Sequence, residues 1–177
     1  EMIDRLSLSL KLENHTIELK TSAFEIEPLV QEVCSMLQQK YQGRVIIILG
    51  EGCSVVADRT LIYLVLVNLI DNALKYSKDE VYVSMSVEDR HCRVTVRDQG
   101  VGIEEREIKN ITKKFYRVDR YSWDNSLGIG LSMVDYVLRL HGSVLSIKST
   151  IGKGSEFSFT LELATPPTSL GATPEKS

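Results

Sequence analysis

Asn68 and Asn72 are four residues apart, and Lys75 follows three later, in a segment reading ADRTLIYLVLVNLIDNALKYS from Ala57. Those spacings put the three polar side chains on one stripe of a helix. The remainder (Leu61, Ile62, Leu64, Val65, Leu66, Val67, Leu69, Ile70, Ala73 and Leu74) is too apolar for a surface helix, so the segment belongs in the interior. Amides and an ammonium are costly to bury without partners. Either the stripe is the solvated edge of a half-buried helix, or its missing partner is an anionic ligand with a metal. Asp58, just ahead of the apolar run, is placed to cap the helix N-terminus.

Three glycine pairs follow: Gly100 with Gly102, Gly128 with Gly130, and Gly152 with Gly154. One such pair is no more than a turn. Three of them at element ends, after that polar stripe, point to loops that cradle a ligand. Gly128-Ile129-Gly130 leads into an apolar segment, Leu131 to Leu140. The free N–H groups and positive dipole end of a helix starting there suit a polyphosphate. Asp98 ends a strand pattern beside Gly100, where a carboxylate can accept from a nucleobase amine such as adenine's, a bond contributing about 1.5–3 kcal/mol. The plainer alternative is that Asp98 only caps its turn. Two other phosphate motifs are excluded. A P-loop needs Gly where Ile147 stands, and a dinucleotide fingerprint needs Gly where Met133 stands.

The elements that must position these residues follow from periodicity. Thr16 to Phe24 alternates as a short strand, and Pro28 opens a helix with Leu29, Val30, Val33, Met36 and Leu37 on its buried face. Val45–Leu49 and Ser54–Ala57 read as strands ahead of the central helix. Val81–Val87 and Cys92–Arg97 alternate as a hairpin joined by Glu88 to His91. Glu104 to Lys114 reads as a helix short of apolar positions, and Phe115 to Leu127 as a mobile loop. After the helix ending at His141-Gly142 come a strand from Ser143 to Ser149, a tight turn at Ile151 to Gly154, and a last strand from Phe157 to Leu163. The pattern predicts an α+β fold: a two-layer α/β sandwich, with a mixed, mainly antiparallel sheet and helices on one face. Residues 1–15 carry Ile3, Leu6 and Leu10 at helical spacing and read as the end of a helix that packs on a partner. Residues 16–164 form one domain. Residues 165–177, rich in Pro, Gly, Ser and Thr, read as a disordered tail.

Composition sets outer bounds. The chain has 177 residues, 43% of them hydrophobic and 25% charged, enough for one good core. A net charge of −3 argues against a nucleic-acid partner. No apolar run is long enough to cross a bilayer, and the chain opens inside a helical pattern, as a fragment would. Cys34, Cys53 and Cys92 are too widely spaced for a zinc site or a disulfide framework, so reduced cytosolic thiols are expected. His15, His91 and His141 are scattered and read as surface or structural histidines.

Taken together, these motifs resemble the catalytic, ATP-binding domain of sensor histidine kinases, within the wider ATPase group of gyrase, Hsp90 and MutL. Asn68-Leu-Ile-Asp-Asn72-Ala-Leu-Lys75-Tyr76 resembles the N box, and Asp98-Gln-Gly100-Val-Gly102-Ile103 the first glycine box. Lys114-Phe115-Tyr116-Arg117 resembles the F box, Gly128-Ile129-Gly130-Leu131-Ser132 the second glycine box, and Gly152-Lys-Gly154-Ser155-Glu-Phe157 the last. The resemblance runs from about Phe24 to Leu163, with all five boxes in register.

The resemblance implies roles. Asn72 would be the magnesium ligand, with Asn68 near metal and phosphates. Lys75 would neutralise phosphate charge, and Tyr76 would border the nucleotide. Asp98, with Gly100, Gly102 and Ser155 around it, would take the adenine amine of ATP or ADP, and Ile103 would wall the base. Phe115 would belong to the nucleotide site. Gly128, Ile129, Gly130 and Leu131 would cradle the phosphates. Arg117 or Arg120 would stabilise charge on the γ-phosphoryl group, and Tyr116 to Leu127 would be the ATP lid. In gyrase-type members a water-activating Glu occupies the position of Asn68. An amide cannot take that proton, so ATP would be held for another acceptor. The family's acceptor is a histidine on a helical hairpin, and the phosphoryl group then passes to a response-regulator receiver domain.

Some positions depart from the pattern. None of His15, His91 and His141 has the acceptor's flanking sequence, so the acceptor helix is expected upstream, with residues 1–15 ending the hairpin. Ser126 and Leu64 replace residues common in the family. The resemblance further implies a cytoplasmic domain, a homodimeric parent and a parent sensor in the cell membrane. Two other readings share the fold: a degenerate nucleotide-binding regulatory module, and an anti-sigma-type serine kinase.

Overall fold

The computed structural model describes residues 18–116 and 128–164. Residues 1–15, the tail at 165–177, and Arg117, Arg120 and Ser126 lie outside these.

The order is β1 (Ser22–Glu25), α1 (Ile26–Lys40), β2 (Ile46–Leu49), β3 (Ser54–Ala57), α2 (Arg59–Tyr76), β4 (Val81–Glu88), β5 (His91–Asp98), α3 (Glu105–Ile108), α4 (Gly130–Leu140), β6 (Ser146–Thr150) and β7 (Gly154–Glu162). Five strands form a mixed sheet in the order β2-β4-β5-β7-β6, and β1 pairs with β3 in a separate ribbon. Only β2 and β4 run parallel; the other pairs of the main sheet are antiparallel.

The strands bury alternate residues. Val81, Val83 and Met85, then Cys92, Val94 and Val96, then Phe157, Phe159 and Leu161 form the inner face. Against it pack Leu29, Val33 and Leu37 of α1, Ile62, Leu66, Leu69 and Ile70 of α2, and Val134, Val137 and Leu138 of α4. The outer face carries Tyr82, Ser84, Arg93, Thr95 and Glu156 and is polar, as expected for an antiparallel sheet covered on one side. This is the expected two-layer α+β sandwich.

Asp58 caps α2, accepting from the N–H groups of Thr60 and Leu61, both at 3.1 Å. Its second oxygen accepts from the Lys20 N–H at 3.0 Å. The Asp58 N–H donates to His141 Nε2 at 3.0 Å, while His141 Nδ1 lies 2.8 Å from the Val137 carbonyl. Nε2 accepts, so Nδ1 carries the proton and donates. His141 is therefore a structural tie between the end of α4 and the start of α2.

Several boundaries differ from the sequence reading. Helix α1 begins at Ile26, two residues before Pro28, because the first turn needs no donor there; its N-cap Glu25 makes no side-chain cap to mark the start. The expected strand at Thr16 to Phe24 is Ser22–Glu25 within the described residues. The helix expected over 104–114 is a single turn, Glu105–Ile108, with none of its residues buried. Beyond it the Asn110 side chain bonds back to the Arg106 carbonyl, a local alternative to helical pairing. Strand β6 starts at Ser146 rather than Ser143, whose hydroxyl instead accepts from the Thr160 N–H at 3.2 Å.

Candidate nucleotide site

Helix α2 is the spine of the site. Asn68 and Asp71 are buried on it, Asn72 and Lys75 are half-buried, and Tyr76 is exposed at its end. Asn68 Nδ2 donates to the Leu64 carbonyl at 2.7 Å, which turns its Oδ1 outward from the helix backbone. That oxygen faces Gly130: a Cβ built on Gly130 would lie 2.7 Å from it. The second glycine pair therefore starts α4 directly against the first asparagine of the stripe. The N-cap of α4, Ile129, supplies no side-chain acceptor, so its own side chain leaves the first N–H groups of α4 uncapped. Ser132 Oγ donates backward to the Ile129 carbonyl at 2.8 Å and takes none of them.

The first glycine pair closes on the other end of the spine. Val101 N–H donates to the Tyr76 carbonyl at 3.3 Å. A side chain on Gly100 would overlap the Tyr76 carbonyl, and one on Gly102, at φ +71°, would overlap the carbonyl of Thr150. A side chain on Gly154, at φ +100°, would overlap that of Asp98. The close approach these glycines allow is therefore of protein backbone to protein backbone, which seats the loop under Asp98.

Asp98 ends β5 opposite Ser155 of β7 and is 5% exposed. Its Oδ1 accepts from the Gly100 N–H at 2.8 Å, so it does cap its turn. Burial pushes its carboxyl above the usual range, against the opposing pull of the Gly100 and Ser155 N–H groups. A buried carboxylate beside a loop edge fits an acceptor for a neutral amine better than a solvated surface charge does.

Sequence reasoning missed Ser149. Its hydroxyl accepts from the Ile103 N–H at 2.8 Å, lies 2.9 Å from Ser155 Oγ, and donates to the Gly154 carbonyl at 2.9 Å. With one proton to give, Ser149 donates to Gly154 and takes Ser155 as donor. It thus pins the first and third glycine loops together. A lone Ser on an alternating edge strand carries no signal of this.

Lys75 does not face outward alone. Its Nζ lies 3.0 Å from Asp71 Oδ2, while Asp71 Oδ1 accepts from Lys40 Nζ at 2.8 Å and Tyr41 Oη at 2.9 Å. Burial would raise the Asp71 carboxyl, but hydrogen bonds from Lys40, Lys75 and Tyr41 and the Lys75 charge together hold it below the usual range. The i,i+4 spacing of Asp71 and Lys75 was a readable signal for the pair. Asn72, by contrast, is half-buried and has no side-chain hydrogen bond to another described residue, so among the described residues its amide oxygen is open to a ligand.

Phe115 is 67% exposed with φ +61°, a conformation bulky residues avoid, and its N–H donates to the Gly128 carbonyl at 3.0 Å. This bond joins the two ends of the segment expected to be a lid. Among the described residues, no cluster of three or more His, Cys, Asp or Glu side chains can hold a metal. A hard cation at this site would rest on the Asn72 amide oxygen, ligand phosphates and water, in keeping with the few protein oxygens and several waters that Mg2+ keeps beside phosphates.

The profile described as Histidine kinase-, DNA gyrase B-, and HSP90-like ATPase matches residues 57–165. The chain belongs to this ATPase family. Its relatives within the family include sensor histidine kinase YkoH of Bacillus subtilis (strain 168), 31% identical over 151 residues, or 84% of this chain and 33% of YkoH. Adaptive-response sensory kinase SasA of Gloeothece citriformis (strain PCC 7424) is 31% identical over 155 residues, or 84% of this chain and 39% of SasA. The chain thus spans well under half the length of either. Full-length ShkA, solved in complex with AMPPNP, matches with a TM-score of 0.80 at 23% identity, covering 93% of this chain and 36% of ShkA. The mycobacterial sensor histidine kinase MprB matches with a TM-score of 0.73 at 20% identity, covering 82% of this chain and 98% of that one. These likenesses establish the fold. The two relatives named are both called sensor or sensory kinases.

Proposed function

We propose that this chain is the ATP-binding catalytic domain of a two-component sensor histidine kinase. It binds MgATP and passes the γ-phosphoryl group to a histidine on a helical hairpin, for onward transfer to a response-regulator receiver domain. The observation that carries this is the docking of Gly130, at the start of α4, on Asn68 Oδ1, with Asp98 buried across the same spine.

The residues divide the work. Asp98 accepts the adenine amine, steadied by Gly100 N–H and Ser155, with Gly102 and Ile103 shaping the wall beside it. Tyr76 borders the nucleotide. The N–H groups around Gly128, Ile129, Gly130 and Leu131 face the polyphosphate, and Lys75 adds positive charge. Asn72 offers an amide oxygen to Mg2+, which supplies charge neutralisation across the phosphates when bound. Asn68 stands where a water-activating carboxylate would be needed for hydrolysis. Its amide takes no proton, so the bound γ-phosphoryl group is kept for transfer. Arg117 or Arg120 meets the charge on that group, within a lid running from about Tyr116 to Leu127.

Residues 1–15 end the hairpin, residues 16–164 form the catalytic domain, and residues 165–177 are a tail. The parent works as a homodimer, with this domain on the cytoplasmic side of a membrane sensor. Among the described residues no helix is long and apolar enough to cross a membrane.

Calorimetry with ATP and ADP, with and without Mg2+, tests the reading. Adenine-selective, magnesium-sensitive binding is expected, with GTP not binding, followed by transfer from ATP to a supplied hairpin. Absence of nucleotide binding would sink it.

A further inference from the structure

We infer that Ser149 is a specificity-determining residue at the base end of the site: it orients the Ser155 hydroxyl so that this end offers a base acceptors only. The inference rests on the nucleotide-binding reading above and adds to it the reason a 6-oxo purine is refused.

Three strands bring the residues into one row. Asp98 of β5 stands opposite Ser155 of β7, and Ser155 stands opposite Ser149 of β6. Residues directly opposite one another share a face of the sheet. The row two residues away is Val96, Phe157 and Ile147, which belongs to the apolar face under the helices. That apolar face therefore ends in a polar row, and Asp98 and Ser155 are buried in it. Buried polar groups need their donors and acceptors matched, so the direction of each hydroxyl matters.

Counting protons fixes that direction. The Ser149 hydroxyl has one proton, and the Gly154 carbonyl at 2.9 Å can only accept, so the proton goes there. The Ile103 N–H can only donate, and it takes a lone pair of Ser149 at 2.8 Å. The 2.9 Å bond between the two hydroxyls is then made with the Ser155 proton. With that proton spent, Ser155 Oγ has only lone pairs to offer elsewhere. Asp98 Oδ1 accepts from the Gly100 N–H, so Asp98 stands as an acceptor too. The pair suits a group that brings donors, as the 6-amino group of adenine does. A 6-oxo group brings lone pairs alone and leaves acceptor facing acceptor. Without the Ser149 hydroxyl, that of Ser155 is released. It can then turn to donate to an oxo group, or compete with the adenine amine for Asp98.

Calorimetry on the whole chain tests this with ADP, IDP and purine riboside 5′-diphosphate, which carry an amino group, an oxo group and hydrogen at position 6. The wild-type chain should bind ADP most tightly and IDP least. For Ser149→Ala, the preference for ADP over IDP is expected to fall about tenfold, the effect of one hydrogen bond. Ser149→Thr keeps a hydroxyl and should keep the preference. In a Ser155→Ala background, Ser149→Ala should leave the preference as it finds it, because the hydroxyl it acts through is gone. An equal loss of ADP and IDP in Ser149→Ala overturns the inference, since Ser149 would then only hold the loops together. An unchanged preference overturns it as well, as does an equal fall in the Ser155→Ala background. If Ser149→Ala does not fold, Ser149→Val takes its place, keeping the bulk of threonine on the strand without the hydroxyl. The wild-type comparison needs no variant: IDP binding as tightly as purine riboside 5′-diphosphate overturns the acceptor-only row. Wild-type chain that binds none of the three diphosphates defeats the nucleotide reading and this inference together. Wild-type chain that binds ADP, with a preference that Ser149→Ala leaves intact, defeats this inference alone.

Discussion

Gly130 stands against Asn68 so closely that a Cβ on the glycine would lie 2.7 Å from the asparagine Oδ1. Two motifs 62 positions apart in the chain meet at this point, and the contact leaves no room for a methyl group. Gly130 is helical with an ordinary φ, so alanine costs nothing in backbone strain and gains up to about 1 kcal/mol in helix propensity. The clash must move either the Asn68 amide or the start of α4. Gly130→Ala should therefore leave the thermal midpoint nearly unchanged while weakening ATP about tenfold or more. Calorimetry beside a melting curve reads both; a large drop in stability would mean the contact matters to folding instead.

Asp98→Asn separates binding from stability. The amide oxygen can still accept from the Gly100 N–H, so the turn survives, but the charge offered to the adenine amine is gone. A loss of about 1.5–3 kcal/mol in ATP binding is expected, with stability equal to or above wild type because a buried charge has been removed. Unchanged ATP affinity would remove Asp98 from the site.

The pH dependence of that stability difference has a definite sign. Asp98 is raised above its ordinary 3.8, so its burial costs nothing well below that pH; the cost grows as pH rises from 3.8 through the raised value. Asp71 is lowered from 3.8, so its contribution is complete above that value and is lost as pH falls through the lowered one. Urea midpoints from pH 3 to 7 should thus show Asp98→Asn gaining on wild type as pH rises. A gap independent of pH would contradict the assignment.

Asn72→Ala should abolish the magnesium sensitivity of ATP binding and leave the fold intact, since Asn72 makes no side-chain bond to another described residue. Titration of ATP with and without Mg2+ measures this. If the sensitivity survives, the cation is held by other groups.

His141→Ala should destabilise without touching nucleotide affinity. The Asp58 N–H loses its acceptor, at a cost of about 1–3 kcal/mol. A chemical denaturation curve at neutral pH checks the direction; a wild-type midpoint would show that solvent replaces the imidazole freely.

Much of the fold was legible because its signals are local. Asp58, the apolar run of α2 and the strict alternation of β4, β5 and β7 each announce an element without tertiary information. Helix α1 and the turn at Glu105–Ile108 were misjudged in extent because the first has no side-chain cap and the second no apolar face. At the candidate site, residue types and spacing singled out Asn68, Asn72, Asp98 and Gly130. They did not identify Ser149 or the Lys40–Tyr41–Asp71 cluster, whose partners lie on other elements. They also misjudged what the glycines Gly100 and Gly102 admit, since only the folded chain shows carbonyls of Tyr76 and Thr150 beside them.

The bond from the Lys20 N–H to Asp58 has a mechanical consequence. Asp58 begins α2, and the last turns of α2 carry Asn72 and Lys75. Force applied to the chain at Lys20 is thus delivered to the first turn of an 18-residue helix, roughly 27 Å long, rather than absorbed in a loop. Lys20 and the pole that carries Asn72 and Lys75 are thus tied to opposite ends of one strut.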